Sequence, residues 1–348
     1  MPLRCQTARA PEPARWVPFR PFVPVNFKLS SLLPAKASTW TSFDAGESGE
    51  LLAVGVQTRA GEKPRVLHAS HTASGGWAST GVTALRAALP GAPGRTVAVL
   101  DRGDYQIMVL QRPPVPAAEM ARSLRWSVAS QVDFPVDDAV IVTMVVPAGA
   151  GAGDGAASVS PATAEHKLYV VAAQPKPLQA VTQAFKASGQ RLDAIDVRET
   201  AQRNIAALLE QADECLCLLR VTQQGLQLTF THRGELCFDR FIAQPLATLQ
   251  AADAPERARI TERLGQQALL SMAHIREHHP QMAVKRVLLC PLPPGLDLES
   301  ALRDQIGLPL DLFDLADVMD LSAVPQLATA EAQARFFTAL GAALRGPA

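Results

Sequence analysis

From residue 215 to 242 the apolar positions come in short runs broken by glycine. The stretches 215–221, 226–231 and 236–242 are separated by Gln223-Gln224-Gly225 and His232-Arg233-Gly234. Short runs joined by glycine-bearing turns predict an antiparallel meander. In the middle run Leu226, Leu228 and Phe230 alternate with Gln227, Thr229 and Thr231, which predicts one buried and one solvated face. Just upstream, 192–197 reads as a strand entering a helix over 199–209. Asp196 and Glu199 then fall at the positive end of that helix's dipole.

The same reading covers the rest of the chain. Strands are predicted over 39–44, 51–58 and 66–70, then a helix over 80–89 closed by Pro90-Gly91. Strands over 95–100 and 105–110, a helix over 117–132, a strand over 138–146, a strand over 167–173 and a helix over 175–188 follow. After the meander, a long helix spans 255–279, with Ile260, Leu264, Leu269, Met272 and Ile275 on one face. A strand over 284–290, a helix over 298–306, a strand over 309–313 and a helix over 330–345 close the pattern. Residues 215–345 thus read βββ-α-β-α-β-α, and the first half reads the same with a block inserted after its fourth strand. Two copies of one order are an internal repeat of topology. Three antiparallel strands followed by βα units make a mixed sheet with helices on its faces. The implied organisation is a disordered, proline-rich arm over 1–38 and a first lobe over 39–210. That lobe carries an inserted α+β subdomain over 104–173 with a flexible Gly/Ala loop at 147–165. A second lobe covers 211–348.

Composition narrows the function. The 348 residues suffice for two cores, and 33 basic residues balance 33 acidic ones, so no basic stripe invites nucleic acid. No apolar run is long enough to span a bilayer, and the N-terminus lacks the apolar core and cleavage site of a secretory signal. Five cysteines without framework spacing read as reduced thiols in the cytoplasm.

The segment Ala194-Ile195-Asp196-Val197, running through Glu199, Ala201 and Arg203 to Asn204, is followed by Gly234-Glu235-Leu236, Phe238 and Arg240-Phe241-Ile242. With Pro113-Pro114-Val115-Pro116, Leu124-Arg125-Trp126-Ser127 and Phe134-Pro135-Val136-Asp137-Asp138-Ala139, it resembles the MshI proteins of mannose-sensitive haemagglutinin (MSHA) pilus biogenesis. Those are relatives of PilM, and the resemblance covers roughly 40–345. It implies a duplicated ribonuclease-H-like, actin-like fold: two lobes with mixed sheets and a small subdomain inserted in the first. It also implies a cytoplasmic adaptor, peripheral to the inner membrane, that binds the N-terminal tail of a bitopic PilN-like protein. The assembly ATPase or platform protein would be a further partner. The tail groove would be lined from the 117–132 helix and the 138–146 strand, with Leu124 and Trp126 nearest it.

An actin-like site surrounds phosphates and Mg²⁺ with backbone N–H groups and carboxylates. The family's first turn corresponds here to Phe43-Asp44-Ala45-Gly46-Glu47-Ser48-Gly49-Glu50, where Glu47 and Glu50 add negative charge. The second half offers Arg220-Val221-Thr222, with no carboxylate for the metal. Pro291 to Gly295 stiffens the loop expected at adenosine. Asp44, Gly46, Ser48, Thr222 and Gly295 are therefore read as a vestigial nucleotide cleft with no cofactor, no metal and no catalytic residue. An active Mg²⁺-ATPase of the same fold is the alternative.

Other motifs also have plainer readings. His274-Ile275-Arg276-Glu277-His278 matches an inverted zinc-protease pattern, with Glu331 as the late acidic candidate; the plainer reading is a polar helix end before Pro280. Cys215, Cys217 and Cys237 could supply thiolates, but they lack a fourth ligand at finger spacing and also read as buried hydrophobes. Glu199 and Arg203 read as an ordinary i,i+4 pair. Arg240 reads as a brace of the meander with Asp239 and Glu235.

Overall fold

The computed structural model describes residues 37–73, 76–89, 94–146, 167–280, 282–293 and 295–346. Residues 1–36 of the expected arm and the expected loop at 147–165 lie outside them.

The first sheet is ordered β3–β2–β1–β4–β8, from β1 (Ser38–Ala45), β2 (Leu51–Thr58), β3 (Arg65–Thr72), β4 (Arg95–Val99) and β8 (Ala194–Asp196). Its first three strands are antiparallel, while β4 and β8 run parallel to β1. The second sheet repeats that order as β11–β10–β9–β12–β13. It is built from β9 (Cys215–Val221), β10 (Gly225–His232), β11 (Glu235–Ala243), β12 (Val284–Leu289) and β13 (Leu310–Leu312). A third, antiparallel sheet is ordered β5–β7–β6, from β5 (Tyr105–Gln111), β6 (Val140–Val145) and β7 (Lys167–Ala173). It stands between β4 and the helix that returns to the first sheet. This is the duplicated α/β, actin-like architecture with a small inserted subdomain.

Each sheet has an outer and an inner cover. On the first, α1 (Ser79–Ala88) and α3 (Pro175–Ala187) bury Val82, Leu85, Val181 and Phe185 against Phe43, Leu51 and Ala98. On the second, α6 (Ala254–His278) and α7 (Glu299–Ile306) bury Leu264, Ala268 and Leu302 against Leu219, Leu228 and Val287. The inner covers are exchanged. Helix α4 (Arg198–Leu209), which ends the first half, packs on β9, β10 and β11, whereas α8 (Ala330–Ala343), which ends the second, packs on β1, β2 and β4. The two helices also pack on each other, so one apolar cluster runs from Val54 and Val97 through Ile205 and Phe337 to Leu216 and Leu218. At their crossing the missing side chain of Gly341 admits the carbonyl of Ala201; a Cβ there would stand 2.2 Å from that oxygen.

The exchange corrects the reading of β10. All its residues from Gly225 to His232 are buried, because the face expected to be solvated lies under α4. Gln227 finds partners there: Oε1 accepts from Arg102 at 3.0 Å, and Nε2 donates to Asp239. A short helix, α5 (Leu246–Ala251), follows β11 and has no counterpart in the expected pattern.

Candidate functional site

The first strands of the two sheets end facing a common cleft. The second-to-last residue of β1 is Asp44, and the corresponding residue of β9 is Arg220. Both are buried, as is Arg198 at the first position of α4. An arginine in an otherwise apolar strand must find a charged partner, because a lone buried cation is costly. Arg220 and Arg198 share one. The turn after β1 is closed by Gly46 N donating to Glu50 O at 2.8 Å, with Gly49 at φ +78°. That turn aims Glu47 into the cleft. Glu47 Oε1 accepts from Arg198 Nη1 at 3.3 Å and Arg220 Nη2 at 3.2 Å, and Oε2 accepts from the Gln223 backbone N–H at 2.6 Å.

Both guanidiniums have further partners. Arg198 donates to Asp44 Oδ1 at 3.4 Å and to the Ala45 carbonyl at 3.3 Å, and Arg220 donates to Thr338 Oγ1 at 2.8 Å. Burial pushes the Asp44 carboxyl above its usual range, an effect Arg198 opposes and Glu47 reinforces. Burial alone would depress Arg198, but Asp44 and Glu47 outweigh it and hold the guanidinium charged.

Deeper in the cleft, Glu199 is fully buried, accepting from Arg102 Nη1 at 2.5 Å and Tyr105 Oη at 2.6 Å. The Arg102 guanidinium also lies 4.0 Å from the centroid of the Phe241 ring. Burial, with the Glu199 charge beside them, pushes both Tyr105 and Asp239 well above their usual values. The pocket lined by Glu47, Arg102, Arg198, Arg220, Gln227 and Phe241, among others, has no more enclosed room than one water molecule needs.

The expected cleft residues scatter. Thr222 lines the pocket, but its hydroxyl is spent on the β9–β10 turn, donating to Gly225 O at 2.9 Å and accepting from Gly225 N at 3.0 Å. Gly46 is buried in the β1 turn, Ser48 is exposed at its tip, and Gly295 is an exposed turn residue at φ +79°. Glu47, read as a charge that would repel phosphates, is neutralised by two arginines. Glu50 is likewise paired, with Arg335 of α8 (Nε–Oε1 2.6 Å).

Two other pairings differ from expectation. Glu199 reaches Arg102 and Tyr105 rather than Arg203, whose guanidinium donates to Asn204 Oδ1 at 2.8 Å. Arg240 donates to Gln267 on α6 at 2.5 Å instead of bracing the meander.

Helix α2 (Met120–Ala129) separates the two residues expected near a partner groove. Leu124 is 1% exposed and packs with Met120 and Val128 on Leu168 and Val170 of β7. The space between α2 and the three-stranded sheet is thus core, and Leu124 presents no surface. Trp126 is 87% exposed on the opposite side of the helix.

Among the described residues no group of three or more His, Cys, Asp or Glu side chains could hold a metal ion. The His274 and His278 rings stack 4.0 Å apart, with His274 against Phe238. They sit on α6 over the second sheet, while Glu331 is on α8 over the first. Cys215, Cys217 and Cys237 are core residues whose thiols burial pushes up, Cys215 to about 12 and the others further. No helix among the described residues is long and apolar enough to cross a membrane.

No family model and no curated protein matches the chain. Among solved structures it is similar to a chain of a PilM–PilN type IV pilus biogenesis complex, with a TM-score of 0.64 and 19% identity, covering 88% of this chain and 97% of that one. It is also similar to a Bacteroides thetaiotaomicron protein of actin-like ATPase fold and unknown function (TM-score 0.45, 6% identity, covering 83% and 95%). A third is the cytoplasmic domain of EpsL, an inner-membrane component of the type II secretion system of Vibrio cholerae (0.42, 12%, 77% and 94%). The first likeness establishes the fold.

Proposed function

We propose that this chain is a non-hydrolysing, actin-like adaptor of a type IV pilus assembly complex, of the MSHA type. It works at the cytoplasmic side of the inner membrane and recruits a bitopic PilN-like protein by its N-terminal tail. The pilus assignment draws on the likeness to a chain of the PilM–PilN complex along nearly its whole length and on the resemblance of the 194–204 and 234–242 segments. The observation that carries the non-hydrolysing part is the ionic plug of Glu47, Arg198 and Arg220 at the strand ends. A triphosphate needs those donors free, and Mg²⁺ needs a carboxylate where Arg220 stands.

Two titrations test the reading. Calorimetry with Mg²⁺-ATP should give no heat of binding at micromolar nucleotide; saturable micromolar binding would favour the active ATPase instead. Fluorescence anisotropy with labelled N-terminal tails of PilN-like proteins should give saturable binding to one of them. Failure of every such tail would remove the adaptor role.

A further inference from the structure

We infer that Glu47 is an internal anionic ligand that bolts the two lobes together across the cleft, occupying a site whose donors are those of an oxyanion receptor. Three N–H donors from three segments converge on one carboxylate: Arg198 at the head of α4, Arg220 in β9, and the backbone N–H of Gln223 in the turn after β9. Both arginine side chains are only 7% exposed, and the Glu47 side chain 16%. Glu47 comes from the first lobe, whereas Arg220 and Gln223 belong to the second.

The geometry has the character of a bound ligand rather than a surface ion pair. The carboxylate uses both oxygens, one toward the guanidiniums and one toward a main-chain amide. The two guanidinium bonds are charge-assisted and partly shielded from water, which strengthens them, while the Gln223 bond lies at the exposed rim. Withdrawal of the turn would leave Arg220 with only the Thr338 hydroxyl and the Phe337 ring, while Arg198 would keep Asp44, the Ala45 carbonyl and Thr338. Breaking a buried pair from one side strands a charge, so lobe opening is opposed from within. The same turn is pinned a second time by Glu50 on Arg335 of α8. An external oxyanion could enter only by displacing Glu47.

The inference rests on the cleft being closed to nucleotide but not on any pilus partner. Its test uses the full chain with Glu47→Ala, inorganic phosphate as probe, and chloride at matched ionic strength as control. Glu47→Ala should lower Tm by about 5 °C or more. Phosphate should restore a large part of that loss by occupying the emptied site, while shifting the wild-type chain and Glu50→Ala by less than about 1 °C. Hydrogen exchange at the Gln223 amide should accelerate about tenfold in Glu47→Ala and slow again with phosphate. An unchanged Tm in Glu47→Ala, or a loss that phosphate does not recover, would overturn the inference. Should Glu47→Ala not fold, Glu47→Gln decides: it keeps an acceptor for Gln223 but no charge for the guanidiniums, so protection at Gln223 should persist while Tm falls, and an unchanged Tm would refute the bolt. Mg²⁺-ATP binding by the wild-type chain would instead count against the proposed function; absent phosphate rescue, with no ATP binding, would sink the bolt alone.

Discussion

Gly341→Ala is the smallest change that probes how the two halves are joined. The added methyl would stand 2.2 Å from the Ala201 carbonyl oxygen, where ordinary contact begins near 3.4 Å. The obstacle is helix backbone, which cannot rotate away like a side-chain tip, so α8 must retreat by about 1 Å. Retreat strains two buried hydrogen bonds that hold α8 in place: Asn204 Nδ2 to Gly341 O at 2.9 Å, and Ser42 Oγ to Ala339 O at 2.6 Å. Overpacking of this kind costs about 1–3 kcal/mol, and each weakened bond adds roughly 0.5–1.5 kcal/mol. The total is about 2–6 kcal/mol, and at about 2–4 °C per kcal/mol Tm should fall by roughly 4–24 °C. Urea and thermal unfolding followed by circular dichroism measure it. Gly103→Ala is the control, since a Cβ there meets nothing within 4 Å and should be nearly neutral. A Gly341→Ala chain that melts within about 1 °C of wild type would refute the claim that the helix crossing is closed to a side chain.

Other substitutions separate packing from surface. Leu124→Ala should cost about 2–5 kcal/mol in urea unfolding, whereas Trp126→Ala, at a residue 87% exposed, should stay within about 0.5 kcal/mol of wild type. If Trp126 contacts the tail, its truncation should weaken tail binding in anisotropy without touching the melt. Glu214 accepts from Arg286 at 2.7 and 3.1 Å, and although burial opposes it, those bonds hold its carboxyl below the usual glutamate range. A depressed carboxyl stabilises the fold above its unfolded pKa and loses that contribution as pH falls through the lower folded value. Glu214→Gln should therefore lower stability at neutral pH and flatten the acid limb below about pH 4.5 in pH-dependent melts. Glu50→Ala removes a partly exposed pair and should cost no more than about 1 kcal/mol, less at high salt.

The duplicated order was legible because its strands are short, apolar and punctuated by glycine. β9 falls where the pattern puts it, and α4 and α6 within a residue or so. The short helix α5 escaped because six residues after a proline are too few for helical periodicity. The two-faced reading of β10 failed for a different reason. Alternation reports polarity, and here the polar face is buried against polar partners. The ionic plug was beyond local pattern altogether, since Glu47 lies 151 residues from Arg198 and 173 from Arg220. One local signal did exist: Arg220 interrupts the run Cys215-Leu216-Cys217-Leu218-Leu219, and a charge inside a buried strand calls for a counter-charge from elsewhere.

The exchange of inner helices sets a timetable for synthesis. Strands β1, β2 and β4 emerge from the ribosome early, yet the helix that seals their inner face is the last element of the second half to be made. Until α8 arrives, Val54, Val56 and Val97 face an unfinished layer, the kind of exposed apolar surface that nascent chains aggregate through. A ribosome stalled within the second half would therefore hold a first sheet that chaperones bind, and a first half expressed alone would inherit the same open face.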